Sequence, residues 1–492
     1  MSQDVLPTSQ WQLDLGVERR SDGRVLAALS VAAVMTDLAV RSGVAGVAGS
    51  LLVVVVAASA LASGRLPNRQ AQVLVAASAV FGAFLTVRMS PALLPLDILA
   101  AGMLLIAGAS LASRGSAFDL SLPQALSRAV HALGHGLAAP AFVIRTGEGD
   151  RSGALTPALL RGLAVAVPVL VILGLLLGSA DPVFAGFFRW SNPETIILHA
   201  ALLTVGAWGM AGLLRLASAH PVPATPNVRR PLGPVEATVV LGSLVTLFTA
   251  FAVAQLLALS AGGRHVIETS GLTYAQYARS GFFQLLAVAA ITLLVLLAVQ
   301  AATQLDDVVV RRRIVILAEA AVVLTLVVVL VALRRLGLYE EAFGLTMLRL
   351  YSQVFAVWVA VVFVALGLAV AGVGRGRAWF PAAAVVAGLV ALLVLNVANP
   401  EALVVRHNVD HATRTGRFDP GYLAGLSDDA VPALVSSLSQ LPAEAQATVR
   451  DLVCGSPSVR QDPSQFRGWA AWNHSREQAE EARAKLCHVP QP

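Results

Sequence analysis

The sequence predicts an all-α fold, a polytopic transmembrane helix bundle of about eleven spans followed by a small helical extramembrane domain. The 492 residues are 57% hydrophobic and only 13% charged, and the mean hydropathy is +0.73. Soluble domains carry roughly 25% charged residues, so this balance is typical of a membrane protein. Long apolar runs recur as far as residue 397, and a polar, helix-forming sequence follows them.

A helix needs roughly 17–25 mostly apolar residues to cross a bilayer core about 30 Å thick. The first and third of the eleven candidates are short. The predicted spans are residues 25–40, 44–62, 71–87, 92–112, 159–177, 195–216, 235–259, 282–302, 314–333, 350–372 and 378–397.

These spans divide the chain into a cytoplasmic segment (1–24), a bundle (25–397) and an extracytoplasmic helical tail (398–492). The start of the chain is polar, so we expect the first span to act as an uncleaved signal anchor. With the N-terminus inside, and counting only residues 1–397, the inner segments hold eighteen arginines and the outer loops eight. This bias predicts a multi-pass protein of the bacterial plasma membrane with its tail outside.

Two further segments have features of their own. The inner loop 113–157 has apolar residues near helical spacing, and we expect it to lie along the inner membrane face. The tail contains the only cysteines, Cys454 and Cys487, which could form a disulfide on an oxidising side of the membrane. Within the tail we predict helices starting near Pro400, Asp428, Pro442 and Pro463.

Several enzyme classes lack their required residues. The only lysine, Lys485, lies in the polar tail, so no glycine-rich phosphate-binding loop can supply its lysine. The chain contains neither HExxH nor GxSxG. Scattered single arginines are typical of loops between spans rather than of a nucleic-acid surface. We therefore predict no cofactor and no nucleic-acid partner.

The stretch TYAQYARSGFFQLL, residues 273–286, precedes a long apolar run. Tyr274 and Tyr277 share a helical face, and such rings favour the headgroup level, where Arg279 can extend outward. Arg349, beside Tyr351, has a similar setting at another predicted outer end. We predict a polar cluster at one mouth of the bundle, formed by Asp181, Tyr274, Tyr277, Arg279, Arg349 and Tyr351.

These segments resemble a family of bacterial integral membrane proteins classified as a domain of unknown function (the 4153/4173-like group). The landmarks are DPVFA at 181–185, YAQYARSGFF at 274–283, LRLY at 348–351, and RHNVDHA, FDPGYLAGLSDDAVPAL and WAAWNHSREQA in the tail. The resemblance covers about residue 160 to the C-terminus. It implies a membrane-embedded fold and no particular activity.

Ionisable residues inside spans are costly and are candidate functional sites. Asp97, Glu236 and Glu319 are the best placed, either as a proton or cation path or as partners that orient helices. The pairs His131/His135 and His407/His411 are four residues apart, a spacing found in zinc sites, but further ligands are not evident. We predict that they lie on solvated helix faces and that no metal is bound.

The sequence thus favours a non-enzymatic membrane protein whose activity it does not define. It would be a transporter of a small solute or lipid, or an envelope sensor or scaffold. Its partners would be the lipid bilayer and an envelope protein bound through residues 398–492. The enzymatic alternative is a lipid-linked sugar transferase with Asp37 as its acid. Trp469 and Trp472 of the tail are predicted to form its small core, or else an interaction surface.

Overall fold

The structure is a computed structural model. It describes residues 15–19, 22–112, 115–144, 173, 177, 193–220, 232–260, 281–303, 307–373, 378–455 and 468–487. All regular secondary structure in these ranges is helical apart from two isolated β-bridges. The chain divides into two compact units. Unit 1 comprises Met1–Ser116, Pro123–Ala224 and Pro457–Glu480, and unit 2 comprises Ala117–Leu122, Thr225–Ser456 and Glu481–Pro492.

Unit 1 contains the first set of long apolar helices. Its elements are α1 (Gly23–Ser42), α2 (Val47–Ala62), α3 (Arg69–Val87), α4 (Leu93–Ser110), α5 (Leu122–Leu137, which begins on the last residue of a unit 2 segment), α6 (Ala139–Ile144) and α7 (Pro193–Ala217). Successive helices α1 to α4 pack on one another, and α7 packs along α1.

Unit 2 contains the second set. Its helices are α8 (Pro234–Ser260), α9 (Phe282–Ala302), α10 (Val308–Phe343), α11 (Met347–Val370) and α12 (Trp379–Ala398). The core of this unit lies along α10, where small and branched side chains such as Ala318, Ala321 and Val329 are buried against α9 and α11.

The prediction of a polytopic helical membrane fold is confirmed. Within the described ranges nine helices are long and apolar enough to cross a membrane, and α2 is a shorter apolar helix. The predicted span 282–302 coincides with α9, and the first and third spans are full-length helices. The predicted fifth span, 159–177, lies outside the described residues except for two isolated positions.

Helix α10 is the largest departure from the predicted bounds. It has 36 residues, whereas the apolar run predicted only residues 314–333. Arginines at both ends end the apolar run, but they are good helix formers and the helix continues through them. The helix therefore extends beyond the hydrophobic stretch and ends at Gly344, which has a φ of 74°.

The described part of the tail forms five α-helices, which are α13 (Pro400–Thr415), α14 (Pro420–Ala424), α15 (Val431–Ser436), α16 (Ala443–Gly455) and α17 (His474–Cys487). Three of the predicted starts lie within three residues of an observed one. The start near Pro463 falls outside the described residues, and α17 begins at His474. Cys454 and Cys487 form a disulfide whose Cα atoms are 5.8 Å apart.

Helix α5, in the loop predicted to lie on the membrane face, has its polar side turned inward. His131 and His135 are buried, while Leu126, Leu133 and Leu137 are mostly exposed. The prediction that this histidine pair is solvated is wrong. His135 accepts a hydrogen bond from Nε of the buried Arg215, 3.2 Å away, and this contact holds the polar side against α7.

Candidate functional site

The polar cluster predicted from the sequence is only partly described. Asp181, Tyr274, Tyr277 and Arg279 lie outside the described residues, so their grouping stays a prediction. Arg349 and Tyr351 lie in the first turns of α11, at the end of unit 2 where α10 turns back. We call this turn, residues 344–346, the bend.

Arg349 binds backbone and side-chain groups on both sides of the bend. Its Nη1 donates to the carbonyl oxygens of Gly344 and Phe343, the latter at 3.3 Å. Its guanidinium carbon lies 4.1 Å from the ring centroid of Tyr339 on α10, a cation–π contact. Arg349 therefore joins the last turn of α10 to the first turn of α11.

Three more side chains complete what we call the bend cluster. Gln353 of α11 donates through Nε2 to Oε2 of Glu340 on α10. The other carboxylate oxygen, Oε1, lies 3.3 Å from Nε2 of His407 on α13. The bend cluster thus consists of Tyr339, Glu340, Arg349, Gln353 and His407, and it links a tail helix to two spans. Glu340 and His407 were not assigned to this site from the sequence.

The tail also binds the backbone of the bend. Nδ2 of Asn408 donates to the carbonyl oxygen of Leu345 at 2.6 Å, and the Leu345 N–H donates to Oδ1 of Asn408 at 3.1 Å. The N–H of Met347 donates to the hydroxyl oxygen of Tyr422 at 2.7 Å. One residue of RHNVDHA and one of FDPGYLAGL therefore hold the polypeptide between α10 and α11.

His411 lies one turn beyond His407, and the prediction that its side is solvated is wrong. Only 6% of its surface is exposed. Its Nε2 has no hydrogen-bond partner among the described residues. Burial lowers the pKa of His411 below its ordinary value of 6.5, and the positive charges of His407, Arg414 and Arg417 act in the same direction.

This lowered pKa predicts acid sensitivity of the tail. The unfolded tail binds a proton on His411 more readily than the folded tail does, so stability falls as the pH drops below about 6.5. We expect the thermal midpoint of the tail to decrease from about pH 7.5 to pH 5 in the wild type and to change less in His411→Phe. His474→Gln, at an exposed position, is the control. Equal slopes in all three proteins would contradict this prediction.

The three intramembrane acids have different environments. Asp97 of α4 is fully buried in unit 1. Glu236 is exposed in the first turn of α8 and therefore lies at a helix end. Glu319 lies in mid-α10, with Oε2 facing Gly367 of α11 and Oε1 buried without a hydrogen-bond partner among the described residues.

Asp37, the acid of the enzymatic alternative, is in contact with a histidine and an arginine side chain. Its Oδ1 lies 2.7 Å from Nδ1 of His199 on α7, and its Oδ2 lies 3.6 Å from Nη1 of Arg41. Both carboxylate oxygens are thus engaged. Among the described residues, no three His, Cys, Asp or Glu side chains are arranged to hold a metal ion.

A groove lies beside the bend cluster. It has a volume of about 360 Å³ and an almost entirely apolar lining. Its walls are Phe283, Leu286, Ala287 and Ala290 of α9 and Tyr351, Ser352 and Phe355 of α11. Tyr351, predicted as part of the polar cluster, therefore faces this groove.

The arrangement of helices defines a class, that of polytopic α-helical membrane proteins. The chain belongs to the family described as Domain of unknown function (DUF4153), which it matches over residues 73–437. The match begins in α3, earlier than the resemblance predicted, and it ends before WAAWNHSREQA. No curated protein and no solved structure matches the chain.

Proposed function

We propose that this protein is a non-enzymatic sensor or scaffold of the bacterial plasma membrane. Its N-terminus would lie in the cytoplasm, and residues 398–492 would face the oxidising side and bind another envelope protein. The arginine bias between predicted loops and the Cys454–Cys487 disulfide support this orientation. The function itself is supported by how the tail is joined to the spans.

The observation that carries the proposal is the pair of hydrogen bonds between Asn408 and Leu345. A tail on a flexible linker could bind a partner without affecting the membrane helices. Here the side chain of Asn408 binds both the N–H and the carbonyl oxygen of Leu345, in the bend between α10 and α11. A shift of α13 would therefore also move the ends of α10 and α11. The bend cluster adds the Glu340–His407 contact to the same joint.

Amide hydrogen exchange measures how strongly Asn408 stabilises the bend. Asn408→Ala leaves both backbone groups of Leu345 without their partner, at a cost of roughly 1–3 kcal/mol for each group that stays buried. We expect amide hydrogen exchange at residues 345–350 to become at least about tenfold faster in nanodiscs, because 1.4 kcal/mol corresponds to a factor of ten. Arg406→Ala, at the exposed neighbour, should leave this exchange unchanged. Unchanged exchange in Asn408→Ala would contradict the coupling.

Partner binding can be tested in living cells. A photo-crosslinking amino acid at the exposed positions Arg414 or Glu444 should give one discrete adduct with an envelope protein. The same group at Arg312, exposed near the start of α10, should not. Asn408→Ala should reduce the adduct without reducing the amount of protein in the membrane. Absence of any adduct from both tail positions would contradict a scaffold role.

A second candidate function, proton- or cation-coupled transport, is supported by Glu319. A buried carboxylate oxygen without a partner in mid-span is costly and is a common feature of ion paths. Flux in proteoliposomes that Glu319→Gln abolishes, while Glu236→Gln retains it, would favour transport over the scaffold role. No flux under any gradient would exclude it.

A further inference from the structure

The tail segment that carries Trp469 and Trp472 differs from the rest of the tail. The sequence predicted that these two rings would form the tail's own core, and this prediction is wrong. Trp469 is 64% exposed and Trp472 is 43% exposed. Between them the small residues Ala470 and Ala471 are buried instead. The segment therefore packs through its backbone and alanines and turns its two large rings outward.

The segment is fixed on the ends of three helices of unit 1, and its Ala470 is buried in one cluster with Ala39 of α1 and Ala48 of α2. The Val47 N–H, at the start of α2, donates to the carbonyl oxygen of Trp472 at 3.1 Å. A Cβ on Gly46 would lie only 3.0 Å from the carbonyl oxygen of Ala470, so glycine permits this close approach. Asn473, 1% exposed, donates to the carbonyl oxygens of Leu85 and Arg88 at 3.1 and 3.2 Å.

These contacts define the level of the two rings relative to the bilayer. Helix α1 ends at Ser42, α2 begins at Val47 and α3 ends at Val87. With 20 and 19 residues, α1 and α3 are about as long as the hydrocarbon core is thick, so their ends lie where the core gives way to the headgroups. The rings on residues 469 and 472 are held at this level by the backbone contacts of their own segment. Tryptophan is enriched at this depth because its ring is apolar and its N–H is polar.

The indole N–H groups supply an independent observation. Trp208, Trp358 and Trp379 each donate to a backbone carbonyl oxygen of the protein, at 2.7 to 3.0 Å. The N–H groups of Trp469 and Trp472 make no such bond within the described ranges. Because both rings are exposed and bonded to no acceptor of the described chain, their N–H groups can donate to an acceptor outside the protein.

We propose that Trp469 and Trp472 insert into the lipid headgroup layer and bind phosphate or ester oxygens of phospholipids. They would anchor the segment that carries them on the membrane beside α1, α2 and α3. This interaction surface is separate from the bend cluster. Lipid is favoured over a protein partner because the rings lie at the ends of spanning helices, where lipid surrounds the bundle.

Fluorescence quenching in nanodiscs tests the proposal. The emission of the two rings is obtained as the difference between the wild type and the Trp469→Phe/Trp472→Phe double variant. A spin label at acyl carbon 5 of the lipid should quench this emission about twice as strongly as a label at carbon 12. It should also quench it about twice as strongly as aqueous iodide does. Trp358→Phe, which removes a half-buried and hydrogen-bonded ring, is the control. The emission that this variant loses should not be quenched more strongly by the label at carbon 5 than by the label at carbon 12.

Two outcomes would overturn the anchor. Quenching of the difference emission mainly by iodide would place the rings in water. Shielding from both iodide and lipid labels in native membranes, with exposure in purified protein, would assign the surface to a protein partner. Amide exchange of Val47 measured in the double variant shows whether the segment is still docked, since that N–H is bonded to the Trp472 carbonyl oxygen.

Discussion

Replacing Asn473 by alanine is expected to release the segment 468–476 from the ends of α2 and α3. The side chain donates to carbonyl oxygens of Leu85, Arg88 and Ala45 and also caps α17 by accepting from the Ser475 N–H at 3.0 Å. Loss of an N-cap costs about 1 kcal/mol, and unpaired buried groups cost about 1–3 kcal/mol more. We expect a decrease of about 3 kcal/mol in the free energy of local opening.

The Val47 amide reports this opening directly, because it donates to Trp472. Its exchange should become roughly 100-fold faster in Asn473→Ala, the factor that about 3 kcal/mol implies. Asn473→Asp keeps the cap of α17 but removes the donor and places an anion against the carbonyl end of α3, so docking should be lost there too. Gln478→Ala, an exposed position of α17, is the matched control. Unchanged Val47 exchange in Asn473→Ala would show that the segment is held by other contacts.

The second large effect is expected from the disulfide. Cys454 and Cys487 are 33 residues apart, and the chain-entropy model gives a loop of this size about 3–4 kcal/mol of stabilisation. Cys454→Ser/Cys487→Ser should therefore lower the unfolding free energy of the tail by about that amount. Thermal unfolding followed by exchange at α16 and α17 measures the change.

A chemical control distinguishes the effect of losing the disulfide from the effect of replacing two cysteines by serine. Wild-type protein that is reduced and alkylated should unfold at the same temperature as the double-serine variant. The oxidised wild type should unfold at a higher temperature. Coincidence of all three transitions would mean that the bond does not constrain the tail. We expect the wild type to be more stable than the double-serine variant under oxidising conditions and equally stable under reducing conditions.

The helical spans could be predicted because lipid leaves few alternatives. A long apolar run must form a helix to pair its own backbone groups, and α9 coincides with its run at both ends. Charge is a poorer guide to helix ends. Arg311 to Arg313 stop the hydropathy signal of α10 although the helix includes them, so the prediction was too short.

The contacts between the tail and the bend could not be predicted because they join residues far apart in the sequence. Asn408 and Leu345 are 63 residues apart, and no local pattern shows which backbone groups an asparagine will bind. His131 and His135 were expected in solvent because helical spacing says which residues share a face but not what that face meets. Trp469 was misassigned for the same reason.

We propose that the chain crosses the membrane repeatedly and that its disulfide-bonded tail lies outside, and thiol labelling tests this orientation directly. Intact spheroplasts would be reduced and treated with a membrane-impermeant maleimide. We expect Cys454 and Cys487 to react at once. A cysteine introduced by Arg312→Cys, in the Cys454→Ser/Cys487→Ser background, should react only after the bilayer is opened. The reverse pattern, with the tail cysteines protected until permeabilisation, would show that the tail lies inside the cell.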